Sequence, residues 1–205
     1  MSGSRPDDEH QNHDHEGHEH QNHDRPGEDH PALSGLLGHW QGTTRLAAGP
    51  WGPERTVHAE VTYRAVAGGF AVVQTYRHSE ADGTHFEGHG VFTVDPDHQD
   101  IFWYYVDSKG PAAEGPSRCT WHDGVLRVER RGSGGWTRHA LYVRGDVLTH
   151  VTELRVLTHA TERRPDSNPR VHLGGADSVP GVESDGTSGE YRPFMESRYR
   201  RTSAP

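Results

Sequence analysis

The stretch Arg55-Thr-Val-His-Ala-Glu-Val-Thr-Tyr-Arg-Ala-Val66 sets the period of this chain. Val57, Ala59, Val61 and Tyr63 alternate with His58, Glu60, Thr62 and Arg64. Successive side chains of a strand point to opposite faces, so an apolar set interleaved with a polar set reads as a half-buried strand. Gly68-Gly69 turns the chain, and a second run follows at Phe70–His78, closed by Asp82-Gly83. Thr84–Val94 ends at Asp95-Pro96-Asp97, and Asp100–Asp107 carries Ile101-Phe-Trp-Tyr-Tyr-Val106, apolar on both faces. Ser108-Lys-Gly-Pro111 starts a longer loop. Ser117–His122 and Val125–Arg131 flank Asp123-Gly124, a tight hairpin signal. Trp136–Arg144 and Val147–Val156 flank Gly145-Asp146, and one further strand precedes them all near His39–Ala47.

Short antiparallel strands joined by hairpins, with no long helix, predict an all-β fold, an up-and-down barrel or a sandwich. Closure into a barrel removes exposed strand edges. Tyr191–Arg201, with Phe194, Met195 and Tyr199, regains strand character and is expected to close a barrel of about ten strands. Pro31-Ala-Leu-Ser-Gly-Leu-Leu-Gly38 suits one helical turn with Leu33, Leu36 and Leu37 on one side. The chain thus divides into a tail (1–30), the main barrel strands (31–162), a mobile insertion loop (163–189) and a closing strand with a C-terminal tail (190–205).

The tail contains Glu-His-Gln-Asn-His-Asp twice, at Glu9–Asp14 and Glu19–Asp24. Its histidines sit among Asp and Glu with almost nothing apolar, so it cannot offset the entropy of ordering and is expected to be disordered. The motif is interspersed and duplicated, unlike the plain run of a purification tag. Imidazole beside carboxylate is divalent-metal chemistry, so His10, His13, His15, His18, His20 and His23 are candidate ligands for Zn, Ni or Cu. Free imidazole titrates at about 6.5, so the tail loses negative charge as pH falls through that value.

Residues 1–30 hold nine acidic groups against two arginines, seven of the chain's nine net negative charges. The near-neutral body argues against nucleic-acid binding, which needs a basic face. Arg127, Arg130, Arg131, Arg138 and Arg144 lie on strands among Asp and Glu, the pattern of a solvated sheet face. A single cysteine, Cys119, excludes an internal disulfide framework and reads as a small buried hydrophobe. No apolar run reaches membrane-span length and no signal peptide opens the chain, so a cytoplasmic location is expected. Gly132-Ser-Gly-Gly135 sits between strands and opens no helix, so it is a hairpin turn rather than a phosphate cradle.

Gly38-His-Trp40-Gln-Gly42 resembles the Gly-x-Trp-x-Gly start of calycin barrels, the lipocalin and fatty-acid-binding-like group. Ala67-Gly-Gly-Phe70, Phe86-Glu-Gly-His-Gly90, Trp103…Asp107-Ser108 and the ending Gly189–Arg201 complete a likeness to a bacterial calycin-like domain family of unknown function. The resemblance implies a barrel whose Trp40 packs across the closed end. It also brings in nitrobindin, a haem-binding barrel with the same opening motif, acting on reactive nitrogen or oxygen species. Here Thr43-Thr44-Arg45 replaces the further glycines of nitrobindins; His150 and His159 are the late candidates for an axial ligand.

Three groups of side chains then stand as candidates. His85, Glu87 and His89 share one strand face and would suit a metal, but the opposite face (Phe86, Gly88, Gly90, Phe92, Val94) is the better core face, which turns the polar triple to solvent. Trp103 and Tyr105 on one side of the aromatic strand would shape a pocket. Tyr76, Thr120, Tyr142 and His150 (or His139) would anchor a polar end. The expected function is binding of a small apolar or amphipathic molecule in the barrel, with divalent metal at the tail and no catalysis required. The alternatives are a nitrobindin-like haem protein and a metal-homeostasis accessory protein in which only the tail acts.

Overall fold

In the computed structural model the described residues are 25–49, 51–110, 115–132, 135–156 and 189–203. Two short helices, α1 (Pro26–Asp29) and α2 (Pro31–Ser34), precede ten strands: β1 (Gly38–Leu46), β2 (Arg55–Val66), β3 (Ala71–Ser79), β4 (His85–Val94), β5 (Ile101–Asp107), β6 (Ser117–His122), β7 (Val125–Gly132), β8 (Gly135–Arg144), β9 (Val147–Val156) and β10 (Arg192–Ser203). Each strand pairs antiparallel with its chain neighbours, and β10 returns to β1 to close the barrel. The β6–β7 hairpin turns on Asp123 (φ 51°) and Gly124 (φ 72°), the left-handed pair that a primed turn requires. The closing strand lies where the sequence places it. The expected tail boundary moves, because Arg25–His30 are described: α1 occupies Pro26–Asp29, and the His30 ring accepts the Ala32 N–H at 3.1 Å. The histidines at 10–23, His159 and the 163–188 stretch lie outside the described residues. Among the described residues no helix is long and apolar enough to cross a membrane.

The interior has two halves. In one, Leu33, Leu36 and Leu37 plug the barrel end and meet Trp40, Val61, Tyr63, Val72, Phe92, Ile101, Cys119, Leu126, Leu141, Leu148 and Tyr199 in a continuous buried core. Burial raises the Cys119 thiol to about 12, so it stays protonated and packs as a hydrophobe. Trp40 is wholly buried, and its Nε1 donates to the Leu36 carbonyl at 2.7 Å. Arg201 of β10 lies 4.0 Å over the Trp40 ring and donates to the carbonyls of Gly35 (3.0 Å) and Leu37. One cation therefore ties the last strand, the first strand and the plug together. Gly42 faces Tyr199 across the closing seam, and a Cβ there would overlap the Arg198 carbonyl oxygen. A glycine is needed for β10 to lie this close.

Trp40→Ala is expected to cost about 3–5 kcal/mol in urea unfolding, and Arg201→Ala about 2 kcal/mol through unpaired carbonyls and the lost ring contact. The double variant should lose about 0.5 kcal/mol or more less than the sum, because the two side chains touch. Strict additivity would separate Arg201 from the plug.

Candidate ligand site

The other half of the barrel is hollow. A cavity of about 360 Å³ opens at the end opposite the plug, with Leu46, Trp51, Phe194 and Met195 on one side of its lining. Trp51 meets Phe194 edge-on at 4.7 Å. The volume falls at the lower end of the range for ligand pockets, roughly 300–1,000 Å³. Two glycines hollow the β4 wall. A Cβ on Gly88 would overlap the Tyr105 hydroxyl, and one on Gly90 would overlap Trp103 Nε1. The small residues let both rings lie flat over β4, where Trp103 also stacks on Phe92 at 5.4 Å.

Period two on β3 brings Gln74, Tyr76, His78 and Glu80 to the cavity in sequence. They form a hydrogen-bonded line. Arg55 grips Glu80 through two bonds of 2.8 and 2.6 Å, Glu80 meets His78 at 3.3 Å, and His78 Nδ1 meets the Tyr76 hydroxyl at 2.8 Å. Tyr76 donates to Thr44 Oγ1, which reaches Ser197 at 2.8 Å. The Arg55 hydrogen bonds hold the Glu80 carboxyl below its usual range. Burial lowers the His78 imidazole against the pull of Glu80, and raises the Tyr76 and Tyr105 phenols.

Across the cavity two histidines face each other. His139 Nδ1 lies 3.0 Å from His150 Nε2, and Thr152 Oγ1 sits 3.2 and 3.3 Å from the same two atoms. His139 Nε2 meets Thr137 at 3.1 Å, and the Trp103 ring packs edge-on to His139 at 5.0 Å. Burial drives His150 down to about 4; burial, then the neighbouring His150 and Arg130, hold His139 well below its ordinary value. Both rings are neutral at neutral pH. One therefore donates and the other accepts.

β5 and β6 share only the pairs Ile101–Cys119, Phe102–Arg118 and Trp103–Ser117. Beyond Ser117 the sheet has a seam, and Arg130 of β7 spans it by donating to the Tyr105 carbonyl at 3.0 Å. Its guanidinium lies 5.0 and 5.1 Å from the Trp103 and Tyr105 ring centres. Arg130 is thus inside the barrel, which corrects its reading as one of a solvated row. It follows Leu126 and Val128 on the inward face of β7, whereas Arg127 and Arg131 alternate outward.

The structure brings Tyr76, Trp103, Tyr105 and His150 to one cavity, together with His139. Thr120 and Tyr142 are not there. Cys119 and Leu141 take the inward positions of β6 and β8, so their chain neighbours Thr120 and Tyr142 fall on the outer face, where Tyr142 carries Arg144 at 5.3 Å. Sequence reading missed Gln74, His78 and Arg130. The period-two run Gln74-x-Tyr76-x-His78-x-Glu80 was the signal for the first two, since four polar groups on one face need an interior hydrogen-bond network or solvent. His85, Glu87 and His89 do face outward, with Glu87 held by Arg77 at 2.9 Å and His89 at 3.0 Å. Among the described residues no group of three or more His, Cys, Asp or Glu side chains is placed to hold a metal ion. A larger depression of about 900 Å³ runs across β1–β4 past Gln41, His58, Arg77 and His85; these side chains are exposed, and the inner cavity, lined by buried polar groups, is the better-built site.

Comparison with known proteins supports the architecture. Rv2717c from M. tuberculosis superposes with a TM-score of 0.54 at 15% identity, over 84% of this chain and 96% of that one. An S-type phycobiliprotein lyase, CPES from Guillardia theta, superposes with a TM-score of 0.53 at 9% identity, over 84% and 91%. At these identities the likeness is one of fold. A search of curated proteins returned no match. Residues 25–113, from the plug through β5, match the family described as protein of unknown function (DUF1579).

The histidine pair sets a pH dependence. The unfolded chain binds protons at each imidazole near 6.5, whereas native His150 does so only at about 4 and His139 well below its ordinary value. Unfolded chains therefore hold more protons between these values, and stability falls as pH drops through the window, by up to about 1.4 kcal/mol per pH unit per group. The thermal midpoint should begin to fall at about pH 6.5, before the carboxylates titrate. His150→Gln should flatten the fall between about pH 6.5 and 5.

Proposed function

We propose that the protein binds a small apolar or amphipathic molecule in the open half of the barrel. The observation that carries this reading is the cavity itself. It has an aromatic wall (Trp103, Tyr105, Phe86), an aliphatic lip (Leu46, Met195), and converging polar groups from β3, β8 and β9. A few polar groups placed in an apolar concavity are the usual make-up of a ligand site. Its polar side chains are largely satisfied by one another, so they orient a guest without needing one for stability. Nothing in this function requires bond making. The shared fold of a phycobiliprotein lyase is compatible with it and adds no substrate.

A haem reading has one favourable observation, the neutral imidazole of His150 in the cavity. Against it, His150 Nε2 is already engaged by His139 and Thr152. A macrocycle would also have to project from a mouth of this size. Loose capture of Zn, Ni or Cu by His10, His13, His15, His18, His20 and His23 rests on the sequence motif alone, and forms a second, separable activity. A protein acting only through that tail, in metal homeostasis, would leave the cavity without use.

The neutral fluorophore 1-aminoanthracene should brighten on binding the full chain. Met195→Trp should abolish that signal with little change in thermal midpoint, because Met195 is a half-buried lip residue. No brightening in the parent protein would remove the binding reading. A Soret band that shifts on haemin titration and is lost in His150→Ala would install the haem reading instead. In native mass spectra with Zn, Ni or Cu, single-ion mass steps present in the full chain and absent from a chain starting at Pro31 would establish the tail activity.

A further inference from the structure

The cavity's charges do not balance. Its lining holds three cations, Arg55, Lys109 and Arg130, against two carboxylates, Glu80 and Asp107. Its imidazoles, His78, His139 and His150, are all shifted toward the neutral form by burial. Arg55 and Glu80 neutralise each other through a two-bond pair. Asp107 accepts the Lys109 backbone N–H at the rim. Among the described residues Arg130 has no carboxylate in ion-pair contact, although it is half-buried. Its surroundings raise the cost of that charge: desolvation lowers its pKa, and Tyr105 and Asp107 only partly oppose this. A guanidinium offers five donors, and its hydrogen bond to the Tyr105 carbonyl uses one.

The neighbouring polar atoms are of another kind. Trp103 Nε1 and Gln74 Oε1 are buried with no partner among the described residues. Both would crowd a Cβ placed on Gly90, so they lie close together over β4. One is a neutral donor and the other a neutral acceptor, and neither selects for charge. Selection for charge falls to Arg130, whose planar fork matches a carboxylate.

We propose that Arg130 is the anion subsite of this cavity and that the ligand is a small monocarboxylate on an apolar body. The proposal rests on the binding reading above. The carboxylate would lie against the free edge of the guanidinium. The apolar body would lie along Trp103, Tyr105, Phe86 and Met195. A single negative charge completes the balance of the lining and leaves the Arg55–Glu80 pair intact. A structural role for Arg130, bridging the β5–β7 seam through the Tyr105 carbonyl, needs no such ligand, and the experiment separates the two.

The full chain is titrated with naphthalene-1-acetate and with its neutral isostere naphthalene-1-acetamide, each competing against 1-aminoanthracene. The expected result is a preference for the carboxylate of about tenfold or more, the loss anticipated when a hydrogen bond to a charged group is removed. Arg130→Met should bring the two affinities together while retaining the amide and the neutral probe. Arg130→Lys keeps the charge without the fork, and should give an intermediate preference even if the Met variant fails to fold. Equal affinities in the parent protein, or a preference that persists in both variants, would overturn the anion subsite and leave the binding reading standing. Failure of every probe to bind would overturn both.

Discussion

Closure of β10 onto β1 is the constraint on which everything else in this barrel depends. Without it, β1 and β10 would be free edges, and the plug would lose the strand that holds it. The closure is secured by a cation and a space. Arg201 reaches from the last strand over Trp40 to the plug carbonyls, and Gly42 admits the β10 backbone. Their sequence separation is large, so closing the barrel carries a loop entropy that only a well-packed seam offsets.

That seam also divides the interior. Where the plug enters, large apolar side chains from every strand fill the barrel, and no room remains for a guest. Past Thr44 and Ser197 the inward positions become polar or small: Gln74, His78, Gly88, Gly90, Thr137, Thr152. The hollow is thus written as a change of residue type along the strands, beside the gap where β6 parts from β5. Its imidazoles are kept neutral by the same burial that shapes it and Arg55 is paired with Glu80, which leaves Arg130 as the half-buried cation with no carboxylate in contact. Protonating the His139–His150 pair would place further positive charge beside Arg130, so the same burial that shapes the hollow also makes the fold sensitive to acid.

The alternation of side chains made the strands legible. β2, β6 and β9 begin and end where the sequence says, because period two and the Asp-Gly or Gly-Gly turns are local signals. Trp103, Tyr105, Tyr76 and His150 were recognisable as interior candidates because each lies in step with apolar or aromatic neighbours. Thr120 and Tyr142 were misplaced by one residue of register, which reverses the face. Arg130 was invisible for a different reason. In a run of arginines and glutamates, period two marks Leu126 and Val128 as inward, but reading a cation as inward also requires knowing that β6 stops short and leaves Tyr105's carbonyl to be met.

Local pattern alone carried the run of short antiparallel strands, the apolar side of the turn at 31–38 and the acidic, histidine-rich composition of the N-terminal segment, since each follows from neighbours within a few residues. The closed barrel alone fixes where the hollow lies, which histidines meet, and that one arginine points inward with no carboxylate in contact. These features depend on residues far apart in the chain. His139 meets His150 across a hairpin, Arg130 reaches Tyr105 across a gap between strands, and Gly42 meets Arg198 across the closing seam. Side-chain periodicity fixes a face, but distance across a closed sheet is set by shear, seam and packing, which no local pattern carries.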